Sequence, residues 1–334
     1  MDTDKNKFGG SLIELCTSSI SELCVEFKRC WIALPNKAIF FVLLAAWLLM
    51  FNFLGNCSYG YVETNSLEYW LYNAYMHSTM TEDHGLLIPF VVLVLFWFRR
   101  KPLLALKHEI WPPALVLLGF CLLLHLVGYR IQQQRLSVLG FFGGMYALMG
   151  LAWGRAFLKA SFFPYFLFSF CMPLGALAEP VTFPMRLLVT QIVSVISHVM
   201  GMDVIREGTQ LFNSSHTYSY EVAAACSGLR SVIAIFCISV IYAFMNFEGL
   251  GKRLLLVVAA FPLAIIGNVI RMMSIVVAAE VSGQEFGNFV HENSIISLTP
   301  YVPAIFGVMA IGHWLREDPK GPKPPTVDLE AKTV

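Results

Sequence analysis

The sequence predicts an all-α, polytopic integral membrane protein with about eight transmembrane helices and both termini cytoplasmic. Three observations carry this. The 334-residue chain is 57% hydrophobic and only 13% charged, about half the charge share of an ordinary soluble protein. Apolar runs able to cross a bilayer recur from Ile39 to Trp314, and runs of ~20 apolar residues satisfy their backbone polar groups in lipid as helices. Basic residues fall on alternate connections between those runs, which fixes an orientation. A formal net charge of +1 lacks the basic footprint of a nucleic-acid binder, so the lipid bilayer is an expected partner and nucleic acid is not.

Taken in order, residues 1–10 are polar. From Ser11 to Trp31 the residues Leu12, Leu15, Cys16, Ile20, Leu23, Cys24, Phe27, Cys30 and Trp31 recur at helical spacing, with Glu14, Glu22, Glu26, Lys28 and Arg29 between them. The pattern fits an amphipathic helix on the membrane surface, or equally a packing helix ahead of the first span. The first apolar run starts too late for a cleavable signal peptide and lacks a small-residue cleavage site. The first span covers Ile39 to Leu54, and a polar, aromatic loop runs from Cys57 to His84. The second span, Gly85 to Phe98, ends in Arg99, Arg100 and Lys101. The third runs from Pro112 to Val127, and Tyr129 to Arg135 return the chain. The fourth covers Leu136 to Trp153, and the fifth Phe162 to Leu177.

Pro184 to Val199 carries Arg186, Gln191, Ser194 and His198 at helical spacing, so it reads as an interfacial or re-entrant helix rather than a clean span. Gly201 to Tyr220 is polar and extramembrane, with alternation over Thr217–Val222 that predicts a short extended segment. The sixth span starts at Cys226 and ends near Asn246. The seventh runs from Arg253 to Ala279, with Pro262 and Gly267 expected to kink it. A polar loop from Glu280 to Thr299 follows, then the last span, Pro300 to Trp314, and a charged, Pro-rich tail expected to be disordered. The expected domains are a cytoplasmic segment 1–36, a transmembrane domain 37–316 and a tail 317–334.

Orientation follows from Lys28, Arg29 and Lys37, then Arg99, Arg100, Lys101 and Lys107, then Arg155 and Lys159, then Lys252 and Arg253, then Arg316, Lys320 and Lys323, all on cytoplasmic connections. Helix rise then sets depth. Arg253 to Arg271 covers about 27 Å at ~1.5 Å per residue, close to the hydrocarbon thickness. Asn246 back to Cys226 covers about 30 Å by the same rule. Cys226, Arg271 and the connection bearing His291 therefore share the outer face.

That convergence suggests thiol chemistry. Cys226 opens a helix through the small residues Ser227 and Gly228, and a helix N-terminus with nearby cations favours thiolate, the nucleophilic form. Read alone, a cysteine at a span end is more often passive. Arg271 inside an apolar helix needs a polar cavity or a partner, unless it snorkels to the interface. Asn268, one turn earlier, shares its face. Arg230, one turn inside Cys226, reads as a supporting residue, either a second thiolate- or substrate-binding cation or the holder of a structural hydrogen-bond network. His291 would supply the imidazole a thiol enzyme requires, with His77, His84, His198 and His216 as rivals on the same side and Glu221 and Glu292 as possible orienting carboxylates. The other cysteines, Cys16, Cys24, Cys30, Cys57, Cys121, Cys171 and Cys237, show no CxxC or Cys/His spacing, so no metal or other cofactor is expected.

The segment from Glu221 through Ala225-Cys226-Ser227-Gly228-Leu229-Arg230-Ser231 resembles the signature of the exosortase/archaeosortase family. Asn268-Val269-Ile270-Arg271 is similar to its second motif, and His291 falls where the third has histidine. The polar stretch with Gly208 is also similar, and the likeness extends from the second span to the last. One departure is plain: members commonly have Gly a few residues after the histidine, where this chain has Ile295. The resemblance implies a polytopic cysteine transpeptidase, sortase-like in chemistry and unrelated to sortases in fold. Its partners would be C-terminal tails of membrane-tethered proteins, each a short motif, one transmembrane helix and a basic cluster. In bacteria these are often of the PEP-CTERM kind, linked to surface-protein or exopolysaccharide export across the inner membrane. It further implies Cys226 as nucleophile, Arg271 as essential cation and His291 as acid/base, with an amine or water as acceptor. Two other readings stand beside it. One is a transporter or lipid-carrier protein whose arginines bind an anionic headgroup, although no internal repeat or paired discontinuous helices are apparent. The other is an inactive scaffold.

Overall fold

The computed structural model describes residues 20–56, 62–77, 84–221, 229–247, 249–293, 296 and 301–315. Among them are twelve α-helices and one small sheet: α1 (Ile20–Ala33), α2 (Lys37–Leu54), α3 (Leu67–His77), α4 (His84–Phe98), α5 (Arg100–Leu104), α6 (Ala114–Arg130), α7 (Gln134–Phe166), α8 (Glu179–Val199), β1 (Val204–Glu207), β2 (Gln210–Asn213), β3 (Ser219–Glu221), α9 (Leu229–Asn246), α10 (Leu250–Ser282), α11 (Gln284–Glu292) and α12 (Val302–Trp314). The chain is an all-α polytopic membrane protein.

Helix α7 is two helices in one unbroken assignment. Gly154 has φ 93° and ψ 173°, a region open to glycine and closed to other residues. The chain reverses there. The Tyr146 hydroxyl donates to the Leu158 carbonyl at 2.6 Å, and the Tyr165 hydroxyl to the Phe142 carbonyl at 2.7 Å. The arms on either side of Gly154 are therefore antiparallel neighbours: the first matches the predicted fourth crossing, and the second, 155–171, starts and ends about six residues before the predicted Phe162–Leu177, because the chain reverses at Gly154 itself. The second arm runs on through a 3-10 segment, Leu167–Cys171.

Contacts at helix ends sort the molecule into two faces. On one, Glu26 pairs with Arg100 at 2.7 Å, Trp153 Nε1 donates to Pro35 O at 2.9 Å, and Asn36 Nδ2 to Ala152 O at 3.0 Å. Arg253 stacks on Phe244 there, its guanidinium 4.6 Å from the ring centre. This basic face gathers the Lys and Arg clusters. On the opposite face Arg135 binds the carbonyls of Pro173 and Leu174 at 2.9 and 3.0 Å, and the Tyr75 hydroxyl donates to Cys171 O. The register of eight crossings read from charge agrees with both sets. Helix α3, inside what the sequence presents as a loop, joins the opposite face by burying Leu67, Leu71 and Tyr75 at four-residue spacing.

Helix α8 is long and apolar enough to span a membrane by length and composition. Its packed stripe is nevertheless polar, with Thr182, Arg186, Thr190 and Ser197 among Val189 and Val193. Thr190 Oγ1 donates to the carbonyl of Gly208, at the turn of the β1–β2 hairpin, at 3.1 Å. A hairpin edged by Arg206, Glu207 and Gln210 cannot lie in hydrocarbon, so the part of α8 beside it stands at or beyond the membrane surface. The exposed residues Val181, Leu188, Val195 and Val199 form the apolar side.

The sheet is larger than the single extended segment the alternation predicts. It is three-stranded and antiparallel, ordered β1-β2-β3, with Ile205 opposite Phe212 and Leu211 opposite Tyr220. Gly208, at φ 60°, makes the β1–β2 turn. Val204, Leu211, Tyr218 and Tyr220 form one cluster with Val189 and Val193 of α8 and with Met272, Ile275, Val276 and Ala279 of α10.

Helix α10 runs from Leu250 to Ser282 without interruption, with Pro262 and Gly267 inside it. At ~1.5 Å per residue it is about 50 Å long, so it exceeds the ~30 Å hydrocarbon layer and projects beyond it. The predicted polar loop after it is largely helix: Gly283, at φ 83°, reverses the chain into α11.

Candidate active site

The site is built at the projecting end of α10. Asn268 and Arg271 lie one turn apart on that helix, and Met272, Ile275 and Val276 anchor its neighbouring stripe to the sheet cluster. Asn268 is 2% exposed, and its Oδ1 has no hydrogen-bond partner among the described residues. Arg271 is half-buried. Its Nη1 donates to the Tyr301 hydroxyl at 3.1 Å, while its buried Nε has no partner among the described residues. Unpaired polar atoms at such depth cost free energy, so each calls for an explanation. Here they form a donor and an acceptor on one helix turn.

The reversal at Gly283 brings His291 back along α10. Gly287 makes the return close, since a Cβ there would strike the Tyr220 hydroxyl and stand 3.0 Å from the Ala279 Cβ. The Tyr220 hydroxyl itself donates to Gln284 O at 3.1 Å, fastening β3 to the start of α11. His291 is half-buried, and its pKa lies below the ordinary histidine value. Desolvation is the main cause and the Arg271 charge the second, partly offset by Glu292. The imidazole is thus mostly neutral at pH 7, the form that can accept a proton.

The start of α9 reaches the same level. Arg253 Nε donates to Phe247 O at 2.7 Å across the turn between α9 and α10. Leu229 stands as far before Phe247 as Arg271 does after Arg253, and both helices rise at the same rate. The first turn of α9, which includes Arg230 by backbone position, is therefore level with Arg271. Cys226, Ser227 and Gly228 lie outside the described residues, as do Ser294 and Ile295. Of the predicted site residues, the structure brings Arg271, Asn268 and His291 to one end of the helical bundle, with the backbone of Arg230 beside them.

Two of the rival histidines have local explanations. His216 stacks on Phe212, ring centres 5.0 Å apart. His198, on exposed α8, has Nδ1 2.7 Å from the Ser194 carbonyl. Sequence reasoning missed Tyr301, whose bond to Arg271 joins residues thirty positions apart; a tyrosine at the mouth of a span is too common a feature to announce such a partner. No group of three or more metal-ligating side chains occurs among the described residues.

A sequence model described as "Transmembrane exosortase" matches residues 76–309, well over half of the chain. That range contains every site residue named above, and the chain belongs to the transmembrane exosortase family. Membership places it among membrane transpeptidases with a role in protein sorting. Neither a curated protein nor a solved structure matches the chain.

Proposed function

We propose that the protein is an inner-membrane cysteine peptidase/transpeptidase. It would cleave C-terminal sorting signals (motif, transmembrane helix, basic cluster) at the outer face, in the service of surface-protein or exopolysaccharide export. The observation that carries this reading is the approach of His291 to Arg271 across the Gly283 reversal, level with the start of α9, with a buried guanidinium Nε–H that has no partner among the described residues.

Cys226 lies three residues before α9 in the sequence. As thiolate it attacks the scissile carbonyl next to the substrate's transmembrane helix. Charge developing on the carbonyl oxygen is met by Arg271, a role in which one donor is typically worth about 3 kcal/mol. Tyr301 accepts from one Nη of that guanidinium, and Nε has no partner among the described residues. His291, neutral beforehand, takes the thiol proton and returns it to the leaving amine, which yields an acyl-enzyme thioester. An amine or water then attacks the thioester, with His291 accepting its proton. Asn268 and Arg230 support the cation cluster. In this reading the basic face is cytoplasmic, and the membrane domain spans residues 37–316.

The test is to replace Cys226 by Ala and by Ser, and follow tail-bearing proteins made in the same cells. Accumulation of uncleaved tails is expected with both variants. Normal tail removal would sink the nucleophile assignment. A transporter, by contrast, would tolerate both changes and fail when Arg271 or Arg230 is replaced.

A further inference from the structure

The small sheet presents two edges of different character. Strand β1 carries Arg206 and Glu207 and packs beside α8. Strand β3 is paired with β2 alone among the described residues. Its middle residue, Tyr220, is buried and fastened to Gln284 of α11, while Ser219 and Glu221 on either side are exposed. The strand is thus held from behind by the helix that carries His291, and its backbone groups that face away from β2 lie along an edge that no other described strand occupies.

Resting on the peptidase reading above, we propose that β3 is the docking edge for substrate. The extended segment that precedes the substrate's transmembrane helix adds to it as a fourth strand. Three features favour this occupant over a second copy of the chain or a lipid. The edge lies outside the hydrocarbon, at the face where a tethered protein's last soluble residues must emerge. Glu221 is five residues before Cys226, no more than about 18 Å of extended chain, so a peptide lying on β3 is delivered to the proposed nucleophile. Strand addition also supplies affinity through main-chain hydrogen bonds whatever the side chains, and selects sequence only at alternate positions. Ser219 and Glu221, on one side of the strand, would be the selecting residues, and Tyr220 the anchor that fixes the edge relative to His291.

The experiment uses the full-length Cys226→Ala enzyme, which lacks the proposed nucleophile, with a photoreactive amino acid placed at Ser219 or at Glu221. The probe is a tail-bearing protein encoded by the same genome, and adducts are mapped by mass spectrometry. In parallel, each residue before the probe's transmembrane helix is changed to Pro, which removes one N–H at a time, and cleavage by the wild-type enzyme is measured. Adducts from the two positions are expected two substrate residues apart, with Pro lowering cleavage about tenfold or more at alternate positions only. Normal cleavage with adducts on consecutive residues or none, and with Pro effects lacking alternation, would overturn strand addition and leave the peptidase reading standing. Alternating adducts without any cleavage by the wild type would support the docking edge and sink the peptidase reading. Absence of both would overturn the two together.

Discussion

Gly287 offers a direct test of how the site is seated. Changing it to Ala places a methyl group against the Tyr220 hydroxyl and 3.0 Å from Ala279 Cβ. The Tyr220–Gln284 hydrogen bond must then break or α11 must lift from α10. Overpacking of this kind costs about 1–3 kcal/mol and the lost bond a further ~0.5–1.5 kcal/mol. Because α11 is a nine-residue helix attached through Gly283, the cost falls on its local docking rather than on the membrane bundle. An opening equilibrium shifted by about 2–4 kcal/mol changes roughly 30- to 1,000-fold. Hydrogen exchange of the α11 amides reads that shift, and tail cleavage reads its effect on His291. Tyr220→Phe in the Gly287→Ala background removes the clashing oxygen and leaves the ring carbon 3.0 Å from the new methyl, so it should restore most of the protection. Unchanged exchange in Gly287→Ala, or failure of Tyr220→Phe to rescue it, would refute the packing of α11 on β3 and α10.

Other outcomes follow from the same geometry. Since burial and Arg271 both hold the His291 pKa below its ordinary value, activity should fall as pH drops through that lowered pKa. Arg271→Gln should move the acid limb of the rate profile upward while lowering the rate about 100- to 1,000-fold, and an unmoved limb would separate the two residues. Tyr301→Phe removes the acceptor of Arg271 Nη1 and should cut turnover about tenfold without changing the melting temperature of the detergent-solubilised protein by more than a few degrees. Gly154→Ala forces a side chain into a glycine-only conformation, with its Cβ 3.0 Å from Glu109 O. A loss of about 1–3 kcal/mol is expected, read as a lower melting temperature of the whole bundle.

Much of the architecture is legible in the sequence because lipid restricts what a backbone can do. Apolar length and the alternation of Lys and Arg gave eight crossings and their register, and the polar contacts of Arg100, Trp153 and Arg135 agree with it. Even the depth of Arg271 could be calculated, since helix rise is constant. The same reasoning fails outside the bilayer. Residues 280–299 are polar enough to read as loop, yet Gly283 and Gly287 let part of that stretch fold back as a helix against Tyr220. Residues 204–213 are too short and too charged to announce a hairpin, which forms because Val204, Leu211 and Tyr220 share one buried cluster with α8 and α10.

The sequence by itself therefore determined that the protein crosses the membrane repeatedly and that it resembles exosortases, and it carries the expectation that Cys226, Arg271 and His291 share one face. Tertiary structure decided how His291 approaches Arg271, that Tyr301 holds the guanidinium, and that a tethered sheet edge stands beside them. Periodicity and charge report each helix's relation to lipid, whereas these contacts join residues from separate elements, and only the folded chain brings their surfaces together.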